Sequence, residues 1–376
     1  MKQHIIEGID QLAQILNQSG ISRLFIVTGS HSYQSLDFSE LIESLDIKRV
    51  FFTDFSSNPL YEQISKGIEL FKAEACDGIL AIGGGSSIDV AKCIKLAALA
   101  KEGNDAILPP LVNARVDIDG RKIPFIAIPT TAGTGSESTH NAVMYYAGAK
   151  QTVTNDGILP DYAMLDPSVL KTLPLYQKKC TMMDALCQGI ESWWSVNSTD
   201  ESKTYSRQAV ELIMHDWERY IFDSDPEAAA QIMQAANFSG RAINITQTTA
   251  AHAMSYKLTS LYGLPHGHAV AVCLPEIWEY MIASIDKCAD PRGGDYLQSL
   301  FQDIADSMGA KTPSAAVTIF RNLLTRMALS NPQSTDKTTD LKLLVASVNP
   351  VRLKNNPIKV EDTDALKLYD AIVHQH

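Results

Sequence analysis

Asp184, His252 and His266 are the residues of this chain whose types could together hold a metal. One carboxylate oxygen and two imidazoles suit a divalent transition ion and leave it open positions for a reacting group. Asp184 and Gln188 stand four apart in MMDALCQGIESWW, and His252 and Tyr256 stand four apart in AAHAMSYKL, so each pair shares a helix face. His266 follows at a Pro-His-Gly break, where a helix ends or restarts. Each residue also has a plain structural reading: Asp184 as an early-helix acid favoured by the dipole, His252 as a satisfied core histidine, His266 as a turn residue.

A second chemistry is written into Ile82-Gly83-Gly84-Gly85-Ser86-Ser87-Ile88-Asp89-Val90-Ala91-Lys92. Consecutive glycines let a backbone turn sharply and come close to a ligand. The N–H groups at the start of the helix that follows would then face an anion, which is the physics of a pyrophosphate site. The spacing is neither G-x-G-x-x-G nor a P-loop. The alternative is a strand-to-helix turn capped by Ser86 or Ser87. Ile128-Pro129-Thr130-Thr131-Ala132-Gly133-Thr134-Gly135-Ser136-Glu137 repeats the arrangement after another strand. Hydroxyls and glycines at a strand's carboxyl end suit a nucleotide crevice, although they also make a turn rich in local bonds.

The elements that must position these residues alternate at first. Apolar runs at 23–29, 49–54, 78–83 and 124–129 read as strands, with helical periodicity at 60–75 and 88–101. Such alternation predicts a parallel sheet covered on both faces. Beyond Asp166-Pro167 helical patterns dominate, at 179–195, 203–222, 226–245, 248–261, 269–285, 297–308, 313–328 and 362–374. The expected fold is therefore an α/β domain over 1–166 and an all-α domain over 167–376. The stretch 329–361 is polar, contains Pro332, Pro350 and Pro357, and reads as loop with one short helix.

A chain of 376 residues exceeds one ordinary core, and 45% hydrophobic with 20% charged residues is ordinary globular composition. The net charge of -11 makes nucleic acid or an anionic membrane a poor partner, without excluding an anionic small substrate. Glu7 and Asp10 interrupt the first apolar stretch, so it lacks the core of a signal peptide. No run approaches the roughly 18 apolar residues of a membrane span. Six scattered cysteines without a C-x-x-C pair read as reduced residues of a cytoplasmic protein.

These segments together resemble the iron-containing (group III) alcohol dehydrogenase family. The resemblance covers essentially the whole chain: GGGSSIDVAK, PTTAGTGSEST, LPDYAMLDP, MDALCQGIES, AHAMSYKLTSLYGLPHGHA and a C-terminal NNPIKVEDTDALKLYDAI, in that order. It implies an N-terminal dinucleotide-binding domain and a C-terminal helical domain that binds metal and substrate. It places Gly84, Gly85, Ser86 and Asp89 around the cofactor's pyrophosphate and nicotinamide side. Thr130, Thr131 and Thr134 would line the cofactor channel, and Lys150 would sit near the ribose or phosphate. Asp184, His252 and His266 match the family's metal ligands, for zinc or iron, and a homodimer is the family's expectation.

Three departures bear on function. Gln188 stands where the family has a ligating histidine, and it can coordinate only through its amide oxygen, a harder and weaker donor. Tyr256 stands where the family has another active-site histidine; with His268 it is a candidate for starting the proton's path, or else it reshapes the pocket. Gly29 stands where members selective for NAD carry an aspartate, which removes the repulsion against a 2'-phosphate and opens the site to NADP as well as NAD.

The expected activity is hydride transfer between a nicotinamide and a small polar alcohol or aldehyde, with the metal as Lewis acid. The departures suggest a branch away from simple alkanols. The preferred branch oxidises the C8 hydroxyl of 3-deoxy-manno-octulosonate (Kdo) for lipopolysaccharide synthesis; the alternatives reduce phosphonoacetaldehyde or lactaldehyde-type substrates. The rival readings are a lyase resembling dehydroquinate synthase, whose basic phosphate-binding pattern is not found here, and an inactive homologue.

Overall fold

The computed structural model describes residues 3–29, 33, 39–101, 118, 120–348 and 350–376. The chain divides into two compact units, Met1–Leu173 and Pro174–His376.

The first unit runs β1 (His4–Glu7), α1 (Leu12–Gln18), β2 (Arg23–Thr28), α2 (Ser39–Glu43), β3 (Lys48–Phe52), α3 (Tyr61–Ala73), β4 (Gly78–Gly83), α4 (Gly85–Leu99), β5 (Phe125–Pro129), a hairpin β6 (Asn141–Tyr146) and β7 (Ala149–Thr154), then β8 (Tyr162–Leu165). Six strands form a parallel sheet in the order β1-β8-β5-β4-β2-β3. Strands β4 and β5 are buried at every residue, which is why they read as unbroken apolar runs instead of alternating ones. Phe25, Val27, Ile79 and Ala81 of the sheet pack with Ile88, Ala91 and Ile94 of α4.

The four strands expected from sequence are β2 to β5. The structure adds β1 and β8 beyond β5, four residues each and too short for periodicity to register, and the antiparallel β6–β7 pair. The chain order reverses beside β2: β3 lies on one side of it and β4 on the other. The glycine loop leaves the carboxyl end of β4 beside this switch point, where open α/β sheets bind ligands.

The second unit runs α5 (Leu175–Trp194), α6 (Asp200–Glu218), α7 (Pro226–Thr246), α8 (Ala250–Tyr262), α9 (His266–Ala283), α10 (Gly294–Ser307), α11 (Pro313–Arg326), β9 (Gln333–Ser334), α12 (Lys337–Ala346), α13 (Pro350–Leu353), α14 (Asp362–Ile372) and β10 (His374–Gln375). Its starts are well signalled: Thr199 accepts from Ser202 N at 3.1 Å, and Asp225 and Thr312 cap helices that begin with proline. The stretch 329–361 departs from the expected loop. It holds the ten-residue α12, capped by Asp336, as well as α13, and β9 pairs in parallel with β10. Only Leu344 of α12 is buried, so the helix lacks the apolar stripe by which sequence reveals one. No helix among the described residues is long and apolar enough to cross a membrane.

Helix α5 is the axis of this unit, packed by α6, α7 and α9 and buried on nearly every face. Gly267, in the first turn of α9, sets the tightest approach. A Cβ there would lie 2.0 Å from Cys180 O and 2.9 Å from Asp184 Cβ. Only glycine lets the start of α9 lie this close to α5, and that approach delivers His266 to Asp184.

Candidate functional site

The two glycine loops of the first unit form one cradle. Gly83 has φ +153, and a Cβ on it would strike Ser87 Oγ at 2.2 Å. A Cβ on Gly85 would lie 2.9 Å from Thr134 Oγ1, and one on Gly84 3.4 Å from Thr131 Cγ2. The second loop is thus laid against the backbone of the first, and Thr130 N donates to Gly83 O at 3.0 Å. The start of α4 opens into this cradle, offering helix N–H groups and the positive dipole end to a phosphate. These features fit a dinucleotide's pyrophosphate.

The other expected cofactor residues take distinct places. Thr134 Oγ1 accepts from Ser136 N at 3.2 Å. Ser86 Oγ donates to Ser57 O. Lys150 lies on β7, opposite Tyr145, near enough to act on Asp89 electrostatically. Asp89 accepts from Ser136 Oγ at 2.6 Å and from Val143 N at 3.0 Å, so its carboxylate ties α4 to the second loop and the hairpin. Burial raises its pKa despite Lys92 nearby. Lys92, wholly buried, donates to Ser136 O at 2.6 Å, Thr139 Oγ1 at 2.9 Å and Asn141 O at 2.7 Å. Burial lowers its pKa to about 8, against the pull of Asp89 and Glu137. Asp89 and Lys92 fix the cradle's shape. The residues that follow Gly29, 30–32, lie outside the described residues.

In the second unit, Asp184, His252 and His266 each present a ligand atom, all within 4.8 Å of one another. His252 Nε2 is 3.3 Å from Asp184 Oδ1, and His266 Nε2 is 3.9 Å from it. His252 Nε2 is buried without a hydrogen-bond partner. An ion taken up between these buried nitrogen and oxygen atoms would satisfy them in place of a proton, so the donor set fits one divalent metal. Tyr256 stacks on the His266 ring, with centroids 5.9 Å apart and planes at 16°. His268, two residues after His266, projects to the opposite side of α9. Its Nε2 donates to Ser330 O at 2.9 Å, which leaves Nδ1 to accept from Tyr176 Oη at 2.8 Å. Burial lowers its pKa. Gln188 Oε1 accepts from Ser239 Oγ at 3.3 Å.

The sequence matches the description "Iron-containing alcohol dehydrogenase" over residues 4–167, and "Fe-containing alcohol dehydrogenase family, C-terminal" over 179–373. The chain belongs to the iron-containing alcohol dehydrogenase family. It is an oxidoreductase acting on CH–OH with NAD or NADP and one divalent metal. Phosphonoacetaldehyde reductase of Streptomyces viridochromogenes is 35% identical over 300 residues, covering 77% of this chain and 74% of that protein. Sulfoacetaldehyde reductase of Bifidobacterium kashiwanohense, solved with NAD+, has a TM-score of 0.85 and 27% identity, covering 98% of this chain and 96% of that one. An iron-containing alcohol dehydrogenase of Thermococcus thioreducens shares the fold, with a TM-score of 0.87 at 23% identity over 99% of this chain and 98% of that one.

Sequence reasoning missed one residue of this dehydrogenase, Glu191. It is wholly buried on α5, and its Oε2 meets His252 Nδ1. Its Oε1 accepts from Thr249 Oγ1 at 2.7 Å, Ala251 N at 2.9 Å, Thr249 N at 3.1 Å and His252 N at 3.3 Å. One carboxylate from α5 thus caps α8, whose own N-cap Thr249 makes no side-chain cap, and fixes His252 so that Nε2 faces Asp184. The signal was present, since position 191 lies seven after Asp184 on one helix face.

Glu191 and Asp184 also set the charge of His252. Burial alone would lower its pKa, yet the two carboxylates raise it from 6.5 to about 10 in the metal-free chain. A raised histidine pKa stabilises the metal-free fold below the unfolded value, and the contribution is lost as pH climbs from 6.5 through about 10. Metal must displace that proton. Zinc affinity of the stripped dehydrogenase should therefore rise about tenfold per pH unit below this pKa. Calorimetry in buffers of different ionisation heat should show one proton released per zinc at pH 7; none released would contradict the assignment.

Proposed function

We propose that this dehydrogenase interconverts a small aldehyde carrying an anionic group with its alcohol, phosphonoacetaldehyde and sulfoacetaldehyde being the model substrates. The observation that carries the reaction class is the Asp184–His252–His266 cluster backed by Glu191. The substrate class is supported by the two reductases of anionic two-carbon aldehydes among its relatives, which favour it over the octulosonate branch.

When bound, the metal held by Asp184, His252 and His266 supplies Lewis-acid chemistry, and the nicotinamide supplies the hydride. The chain's own residues do the rest. The glycine cradle binds the pyrophosphate at the start of α4, with Thr130, Thr131 and Thr134 alongside. Glu191 holds the His252 ring in one tautomer and one orientation. The stacking of Tyr256 on His266 supports it as the residue that passes a proton through its phenol, whereas the ring nitrogens of His268 are already taken up by Ser330 and Tyr176. With Gly29 in place of an aspartate, both NAD and NADP are accepted. The buried free cysteines suit a reducing cytoplasm.

The test follows nicotinamide absorbance with phosphonoacetaldehyde, sulfoacetaldehyde, lactaldehyde, Kdo and short alkanols, each with NAD(H) and NADP(H) and with zinc or ferrous iron restored. The expected result is metal-dependent oxidation of the reduced cofactor, with kcat/KM for the anionic aldehydes at least about tenfold above neutral ones, about 1.4 kcal/mol of discrimination. Preference for neutral alkanols would sink the substrate class and keep the reaction. A bound cofactor with no net turnover on any substrate would favour the lyase-like or inactive reading.

A further inference from the structure

Position 188 is where the family resemblance calls for a ligand and the chain supplies an amide. Gln188 lies one turn beyond Asp184 on α5 and is 4% exposed. Its carbonyl oxygen lies 3.3 Å from Ser239 Oγ, a wholly buried hydroxyl on α7 whose one proton is shared between Gln188 and Ala236 O, the latter at 3.0 Å. The two histidines of the cluster arrive on α8 and α9 instead. The oxygen is thus turned to a helix that brings no ligand. An amide oxygen is neutral, and a hydrogen bond received from a hydroxyl draws further on its electron density. Imidazole and carboxylate outcompete it for a transition ion.

We propose that Gln188 is not a metal ligand: Ser239 holds its oxygen off, and the centre has three protein donors, Asp184, His252 and His266. This rests on the metal reading above. Three donors make an open centre, with the remaining positions filled from solution, and they bind metal less tightly than a closed four-donor site. Ser239 is then a positioning residue that keeps the site open.

The experiment compares metal-stripped wild type with Gln188→Leu, Ser239→Ala and the double variant, each checked for an unchanged melting profile. Zinc affinity is read by competition with a chromophoric chelator, and donor number by the visible spectrum of the cobalt-loaded protein. Gln188→Leu should leave zinc affinity within about threefold and the cobalt bands unmoved, because nothing that touches the ion is lost. Ser239→Ala should release the oxygen, tightening zinc and shifting the bands, and the gain should vanish in the double variant. A loss of about tenfold in Gln188→Leu, with moved bands, would make the amide a ligand and overturn the proposal. Unchanged or weaker binding in Ser239→Ala would overturn the role of Ser239. Failure of the wild type to bind zinc or cobalt at all would overturn the metal reading and this inference with it.

Discussion

Asparagine at position 184 should abolish metal-dependent turnover while leaving the protein folded. Asp184 is buried, and its Oδ1 is the atom to which both histidine nitrogens come, at 3.3 and 3.9 Å. Asparagine keeps the shape and removes the charge that holds the ion. Lewis-acid stabilisation is worth several kcal/mol, so kcat/KM should fall about a thousandfold or more. Cofactor binding should be unchanged, because the cradle of α4 belongs to the other unit. The two readouts are stopped-flow turnover and a fluorescence titration with reduced nicotinamide. Turnover within about tenfold of wild type would mean the chemistry does not run through Asp184.

Glutamine at position 191 should cost about 10- to 100-fold in metal affinity, although its side chain is no ligand. The amide keeps the size of Glu191 and can still accept from α8, but it gives His252 Nδ1 a neutral partner. A purely structural role would lower the melting temperature and nothing more. The positioning role also moves a titration: without the Glu191 charge the His252 pKa falls from about 10, so the pH dependence of zinc uptake should flatten. Unaltered affinity and an unaltered pH profile in Glu191→Gln would remove Glu191 from the centre's machinery. Alanine there is the harsher change. It leaves the N–H groups of Thr249, Ala251 and His252 without their shared acceptor, at roughly 1–3 kcal/mol for each one buried and unsatisfied.

Much of this was open to reading from the sequence. The glycine runs after two apolar strands announce two close-packed loops at strand ends, because both the sharp turn and the helix start are local features. The helices of the second unit follow from period and caps; Asp225-Pro226 and Thr312-Pro313 mark two starts almost to the residue. Asp184, His252 and His266 emerge from ligand chemistry plus spacing, and their ligand atoms lie within 4.8 Å of one another. Glu191 was passed over because a glutamate in a helical stretch reads as solvated surface. The spacing from Asp184 puts it on the same helix face, but its role depends on the start of α8 packing against it, which spacing alone does not encode. His268 is the converse case. A histidine two residues from a ligand looks catalytic in one dimension, while helical geometry turns it to Tyr176 and Ser330. Strands β1 and β8 eluded the reading because four-residue strands gain their identity from neighbours, and α12 because almost nothing on it is buried.

The bond between Glu191 and His252 joins residues 61 apart in the chain, and the metal cluster draws on three helices. No short segment can assemble those donors on its own, so the unfolded chain has no high-affinity grip on the ion. Docking of α5, α8 and α9 must come first, at the entropic cost of closing long loops before any coordination bond can repay it. Metal uptake therefore follows the docking of α5, α8 and α9. In a cell short of the metal, this enzyme would accumulate as a folded, cofactor-competent reserve awaiting its ion.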